Sequence, residues 1–132
     1  MIVIESSAMV DALVDEPANP ELLALIADSD LHAPSLIDYE VASALRGHAL
    51  GGKLADRQVE DAADDFNSFY IDRYPLSTMM RGVLDLRDNF TVYDAAYVVL
   101  AQALEVPLVT ADAKLAEARK VGVDVRVIRP HR

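Results

Sequence analysis

The sequence predicts an α/β fold, a parallel sheet covered by helices on both faces, and three observations predict it. Short apolar runs alternate along the chain with segments of helical period. Those runs are continuously apolar rather than alternating, as strands buried on both faces are. Every connection between them is long enough to cross over a sheet. At 132 residues, with 52% apolar residues and only five glycines and six prolines, the chain is expected to form a single domain, residues 1–132, around one core. No internal repeat or linker interrupts it.

The first strand is residues 2–4 of MIVIESSAMVDAL, and Ser6 or Ser7 is placed to cap a helix running to about Val14, because a serine oxygen accepts the free NH groups of a first turn. Pro17 and Pro20 break the chain before ELLALIA, a short second helix. Leu31 to Ala33 is a brief strand. From Ser35 the segment SLIDYEVASALRGHAL carries Leu36, Ile37, Val41, Ala44 and Leu45 on a helical period and ends near Gly47 or at Gly51 and Gly52. Leu54 to Phe69 is a surface helix, acidic outside, with Leu54, Val59, Ala62, Ala63 and Phe66 turned inward. FYIDRYP is the third strand, closed by Pro75; Ser77 to about Arg87 and TVYDAAYVVLAQAL are helices. A strand at Pro107 to Val109, a helix at Ala113 to Lys120 and a strand in VDVRVI complete the series.

Twenty-two acids against twelve bases give a net charge of -10, which opposes nonspecific capture of nucleic acid or of an anionic membrane. A polyanion must therefore be received locally, and a divalent cation held by clustered carboxylates supplies positive charge at one point. The chain has no cysteine, which excludes disulfides and zinc–thiolate sites. No apolar stretch approaches the roughly 18 residues of a membrane span, and no basic region precedes the first apolar run. A soluble cytoplasmic protein with no membrane partner is expected.

Most of the acids lie on solvated faces, as Asp61, Asp64 and Asp65 do, but four stand apart. Glu5 and Asp112 follow apolar strands, and in open parallel sheets the ligand crevice lies at the carboxyl ends of strands. Glu40 and Asp94 fall within apolar helices, where a lone charge is expensive unless something pairs with it. Each has a structural alternative. Glu5 can be a turn residue, Glu40 can pair with Arg46, Thr91 and Asp94 can form a capping box, and Asp112 can be an N-cap. Four coincidences in one small sheet protein favour a shared site over four separate accidents. The histidines His32, His48 and His131 have no metal-ligand spacing and read as solvated; Gly51 and Gly52 lack the lysine and hydroxyl of a phosphate loop. Ser6 and Ser7 lack a histidine base, and Tyr93 and Tyr97 read as core residues, with Tyr93 near the mouth of the site.

Four segments, MIVIESSAMV, APSLIDYEVASAL, TVYDAAYVVLAQAL and PLVTADAKL, together resemble the PIN-domain proteins, and most closely the VapC-type ribonuclease toxins of bacterial toxin–antitoxin pairs. The segments occur in the family's order and span the chain. The resemblance implies a three-layer α/β/α sandwich with a five-stranded parallel sheet, and a Mg²⁺ or Mn²⁺ site formed by Glu5, Glu40, Asp94 and Asp112. It also implies cleavage of single-stranded RNA and silencing by a cognate antitoxin. Ser7 and Thr110 are implied to orient the carboxylates. One position departs: the family has aspartate where this chain has Glu5, whose extra methylene adds roughly 1.5 Å of reach and is expected to displace this ligand and reduce activity.

The expected function is therefore metal-dependent hydrolysis of RNA phosphodiester bonds by Glu5, Glu40, Asp94 and Asp112, in a homodimer, with Arg46, Lys114, Arg126, Arg129 and Arg132 as candidate phosphate contacts. A catalytically weakened module that binds an antitoxin and so takes part in repressing its own operon is the alternative from another class. A receiver-like phosphoacceptor also gathers acids at strand ends, but its lysine belongs on a late strand, whereas Lys114 and Lys120 fall on a helix.

Overall fold

The computed structural model describes residues 1–129, so His131 and Arg132 lie outside the described residues. Five strands form one wholly parallel sheet: β1 (Ile2–Ile4), β2 (Leu31–Pro34), β3 (Ile71–Tyr74), β4 (Leu108–Thr110) and β5 (Val125–Val127), in the order β3-β2-β1-β4-β5. The helices are α1 (Ser6–Val14), α2 (Pro20–Asp28), α3 (Ile37–Leu50), α4 (Asp56–Ser68), α5 (Met80–Asp85) and α6 (Val92–Leu104). The chain steps outward from β1 to β3, then returns to lay β4 on the other side of β1. Right-handed crossovers place α1 to α4 on one face and α5 and α6 on the other, giving the expected three layers. α1 packs against α3 and α4, while α6 lies across β1, β2 and β4 with α5 against it.

Burial follows this order. β1 and β4 are buried at every residue, and Ile4, Leu108, Val109 and Val98 are among the fully enclosed side chains. β1 and β4 are adjacent where the winding reverses, and in such sheets that reversal opens the crevice for ligands beyond the strands' carboxyl ends.

Two helices differ from the sequence reading. The segment from Ser77 to Arg87 is divided into a one-turn 3-10 segment, Leu76–Thr78, and α5. Thr78 Oγ1 donates to the Pro75 carbonyl at 2.8 Å, closing the turn upon itself, and Met79 at φ -128°, ψ 4° leaves the helical region. Ala113–Val121 winds as a 3-10 helix rather than an α-helix. Its i, i+3 spacing stacks Leu115 and Ala118 along one edge, where both are buried. His32 is not solvated: it is buried in β2, with Nδ1 2.8 Å from the Tyr74 hydroxyl. Tyr93 is not a core residue but 63% exposed, whereas Tyr97 is enclosed as expected.

Candidate active site

Glu5 leaves the end of β1 in extended conformation and is itself the N-cap of α1, the place assigned to Ser6 or Ser7 from the sequence. Its side chain is 6% exposed and its carboxylate is surrounded by donors. It accepts from the Ser7 NH at 3.0 Å, from Ser6 Oγ at 2.8 Å, from Thr110 Oγ1 at 2.5 Å, and from Ser7 Oγ. Two of the three hydroxyls that hold it are held in turn: Ser7 Oγ accepts from the Ala111 NH at 2.9 Å and Thr110 Oγ1 from the Asp112 NH at 3.0 Å. A polar seam thus joins the carboxyl ends of β1 and β4, and it satisfies a carboxylate that would otherwise be costly to bury.

Glu40 sits in the first turn of α3 and accepts from the Tyr97 hydroxyl of α6 at 2.7 Å; it does not pair with Arg46. Burial raises its pKa above the ordinary glutamate value; the hydroxyls of Tyr97 and Ser6 oppose the shift, and the charges of Glu5 and Asp94 add to it. Burial and the Glu40 carboxylate push the Tyr97 phenol far above its usual range, so Tyr97 remains a donor at any physiological pH.

Asp94 lies in the first turn of α6. Thr91 caps this helix, its Oγ1 accepting from the Asp94 NH at 3.1 Å, but among the described residues the Asp94 carboxylate makes no return bond to the Thr91 NH, and only half the capping box forms. The carboxylate faces Lys114 Nζ at 3.8 Å instead. Its pKa is raised, first by burial and then by Asp112 and Glu5, with Lys114 opposing the rise. Asp112 is the N-cap of the 3-10 helix, accepting from the Lys114 NH at 3.1 Å, and its other oxygen lies 3.6 Å from Lys114 Nζ.

The fold therefore brings the four sequence-predicted acids into one electrostatic neighbourhood, in which the charge of Glu5 is felt at both Glu40 and Asp94 and that of Asp112 at Asp94. It does not close them into a cage: among the described residues, no three acid or histidine side chains stand close enough to wrap one ion as they lie. A fifth acid belongs to the same field and was not read from the sequence. Asp11, on α1, has its pKa raised to about 6 by burial, by Asp15 and by Glu5. Its place on the helix beginning at Glu5 was the available signal, but which face of α1 turns toward the site depends on packing. A concavity of about 510 Å³ beside Pro107 and Asp124 lies at the amino ends of β4 and β5, and none of these acids lines it.

Comparison with known proteins gives a consistent result. The family description "PIN domain" matches residues 2–121. Ribonuclease VapC1 of Mycobacterium tuberculosis (strain ATCC 25618 / H37Rv) is 38% identical over 129 residues, covering 96% of this chain and 97% of the relative. Ribonuclease VapC9 of the same strain is 34% identical over 128 residues, covering 97% and 98%. Among solved structures, the crystal structure of PAE2754 from Pyrobaculum aerophilum superposes with a TM-score of 0.64 at 25% identity, over 94% of this chain and 87% of that one.

Proposed function

This chain belongs to the PIN-domain family, and from that premise we propose that it is an endoribonuclease toxin, hydrolysing RNA phosphodiester bonds with the help of Mg²⁺ or Mn²⁺ and silenced by a cognate antitoxin. One observation carries the site: Glu40 and Asp94, from different helices, both have raised pKa values, first through burial, with the charge of Glu5 adding to both and that of Asp94 adding at Glu40. A cation relieves that strain. All the donors are carboxylate oxygens, the set that suits a hard ion, and magnesium keeps several waters while using only one or two carboxylates. Acids that share a neighbourhood without enclosing an ion fit that demand.

A cation bound there would supply acidification of an attacking water and stabilisation of the leaving 3′ oxygen, chemistry that yields a 5′-phosphate product. The chain's own residues set the stage. Asp94, Glu40 and Asp112, with Glu5, would hold the cation; the Tyr97 hydroxyl fixes one oxygen of Glu40; Ser7 and Thr110 fix Glu5 and tie β1 to β4. With a net charge of -10, RNA is received at this crevice and not over the surface at large. Exposed Tyr39, Leu76 and Tyr93 line an apolar groove beside it with Leu36 and Met79, a surface suited to a protein partner, whether an antitoxin or a second copy of the chain.

Incubating purified protein with unstructured RNA tests the reading. Cleavage with Mn²⁺, none with chelator, and a loss of at least about 100-fold in Asp94→Asn are expected; cleavage that survives both overturns it. One observation favours a weaker catalyst acting mainly by antitoxin binding, namely that the Glu5 carboxylate already accepts from Ser6, Ser7 and Thr110. Glu5→Asp separates the two. A displacement of about 1 Å can lose roughly 100-fold in rate, so a large gain in Glu5→Asp identifies the longer acid as a brake on an otherwise complete nuclease. No gain, together with no turnover in the parent, favours the binding module.

A further inference from the structure

We propose that Lys114 is the resident counter-cation of this site: its ammonium fills the gap between Asp94 and Asp112 in the metal-free protein, and a divalent cation must displace it to bind those carboxylates. The inference rests on the metal-binding reading above and names the residue that opposes it.

The contacts that carry it come from two directions. Lys114 Nζ lies 3.6 Å from one oxygen of Asp112, while the main-chain NH of Lys114 donates to the other at 3.1 Å, so a single residue engages both oxygens of this acid. The same ammonium lies 3.8 Å from Asp94, which belongs to α6 and not to the Lys114 segment. Among the described residues, no other base contacts Glu5, Glu40, Asp94 or Asp112. The side chain is 69% exposed, so the carboxylates hold its tip while little holds its stem. Displacing it opens no cavity and strands no buried charge, because a four-carbon stem can swing its ammonium into water.

An occupant differs from a bystander in a measurable way. A nearby positive charge weakens binding of a second cation through the field alone, and then lysine and arginine act alike. A group seated on the carboxylates must be unseated, and a guanidinium grips carboxylates more firmly than an ammonium because its donors form a planar fork.

Manganese affinity of the intact protein, measured by calorimetry without RNA at fixed ionic strength, tests this. Lys114→Gln is expected to tighten Mn²⁺ binding roughly tenfold, Lys114→Arg to weaken it at least about threefold, and Lys120→Gln, whose lysine pairs with Glu117 elsewhere on the segment, to leave it unchanged. Equal affinity for the parent, Lys114→Gln and Lys114→Arg overturns the proposal, as does an arginine variant that matches the parent while the glutamine variant binds tighter. In chelator, Lys114→Gln is expected to lower the melting temperature of the parent more than that of Asp94→Asn, in which only the Asp112 contact remains; equal effects in both backgrounds also overturn it. A parent that binds no Mn²⁺ overturns the metal site itself, whereas graded binding without the Lys–Arg difference removes only the role of Lys114.

Discussion

Asp11 illustrates how a side chain acquires its chemistry from its burial and from the acids at the two ends of its own helix, Asp15 and Glu5. Its folded-state pKa of about 6 stands above the ordinary value of 3.8, so the folded protein binds more protons than the unfolded chain between those values. Stability contributed by this group is therefore full below about pH 4 and is lost as pH rises through 6. Asp11→Asn is expected to melt at a higher temperature than the parent at pH 7 in chelator, and to show no advantage near pH 3.5; thermal melts at the two pH values check both halves. Glu5 was visible in the sequence because a carboxylate at a strand end is conspicuous, and Ser7 and Thr110 were named as its companions. The Tyr97–Glu40 bond was not legible, since it joins residues 57 apart on helices that the crossovers place on opposite faces of the sheet.

Among the elements, the start of α6 separates two roles that one sequence signature, TVYD, leaves combined. Thr91 makes the cap, and the Asp94 carboxylate turns away from it toward Lys114. Thr91→Ala is thus expected to cost about 1 kcal/mol of stability with modest loss of RNA cleavage. Asp94→Asn is expected to abolish cleavage and, in chelator, to leave the melting temperature unchanged or higher, because neutralising a half-buried acid relieves its burial cost and its repulsion from Asp112 and Glu5. Denaturation curves in chelator beside cleavage assays distinguish the two residues; an Asp94→Asn protein that is destabilised yet active returns Asp94 to a capping role. Strand positions were legible because continuous apolar runs admit few other readings. The division before α5 and the 3-10 winding of 113–121 were not, because each depends on a side chain closing a local turn or on which edge must be buried.

For the molecule as a whole, the acidity and the parallel sheet are linked through β1. The order β3-β2-β1-β4-β5 gathers carboxylates at the point where the winding reverses, in a chain already at net charge -10. Two carboxylates about 5 Å apart repel by on the order of 3 kcal/mol at an effective dielectric near 20. Millimolar Mn²⁺ is accordingly expected to raise the melting temperature at neutral pH, beyond the effect of a monovalent salt at matched ionic strength; an unchanged melting temperature would remove the cation from the account. The sequence pattern conveyed a layered parallel sheet, but not that β1 is central, because pairing order depends on crossovers that leave little local trace. That centrality sets a timetable for synthesis. The Thr110 hydroxyl that clasps Glu5, and the strand β4 that lies beside β1, are made more than a hundred residues after Glu5 itself. At about 5–20 residues per second, the growing chain holds half a crevice for several seconds, with Ser6 and Ser7 but not Thr110 beside Glu5. The proposed site is thereby completed only once β4 has followed β1, with everything between them already made.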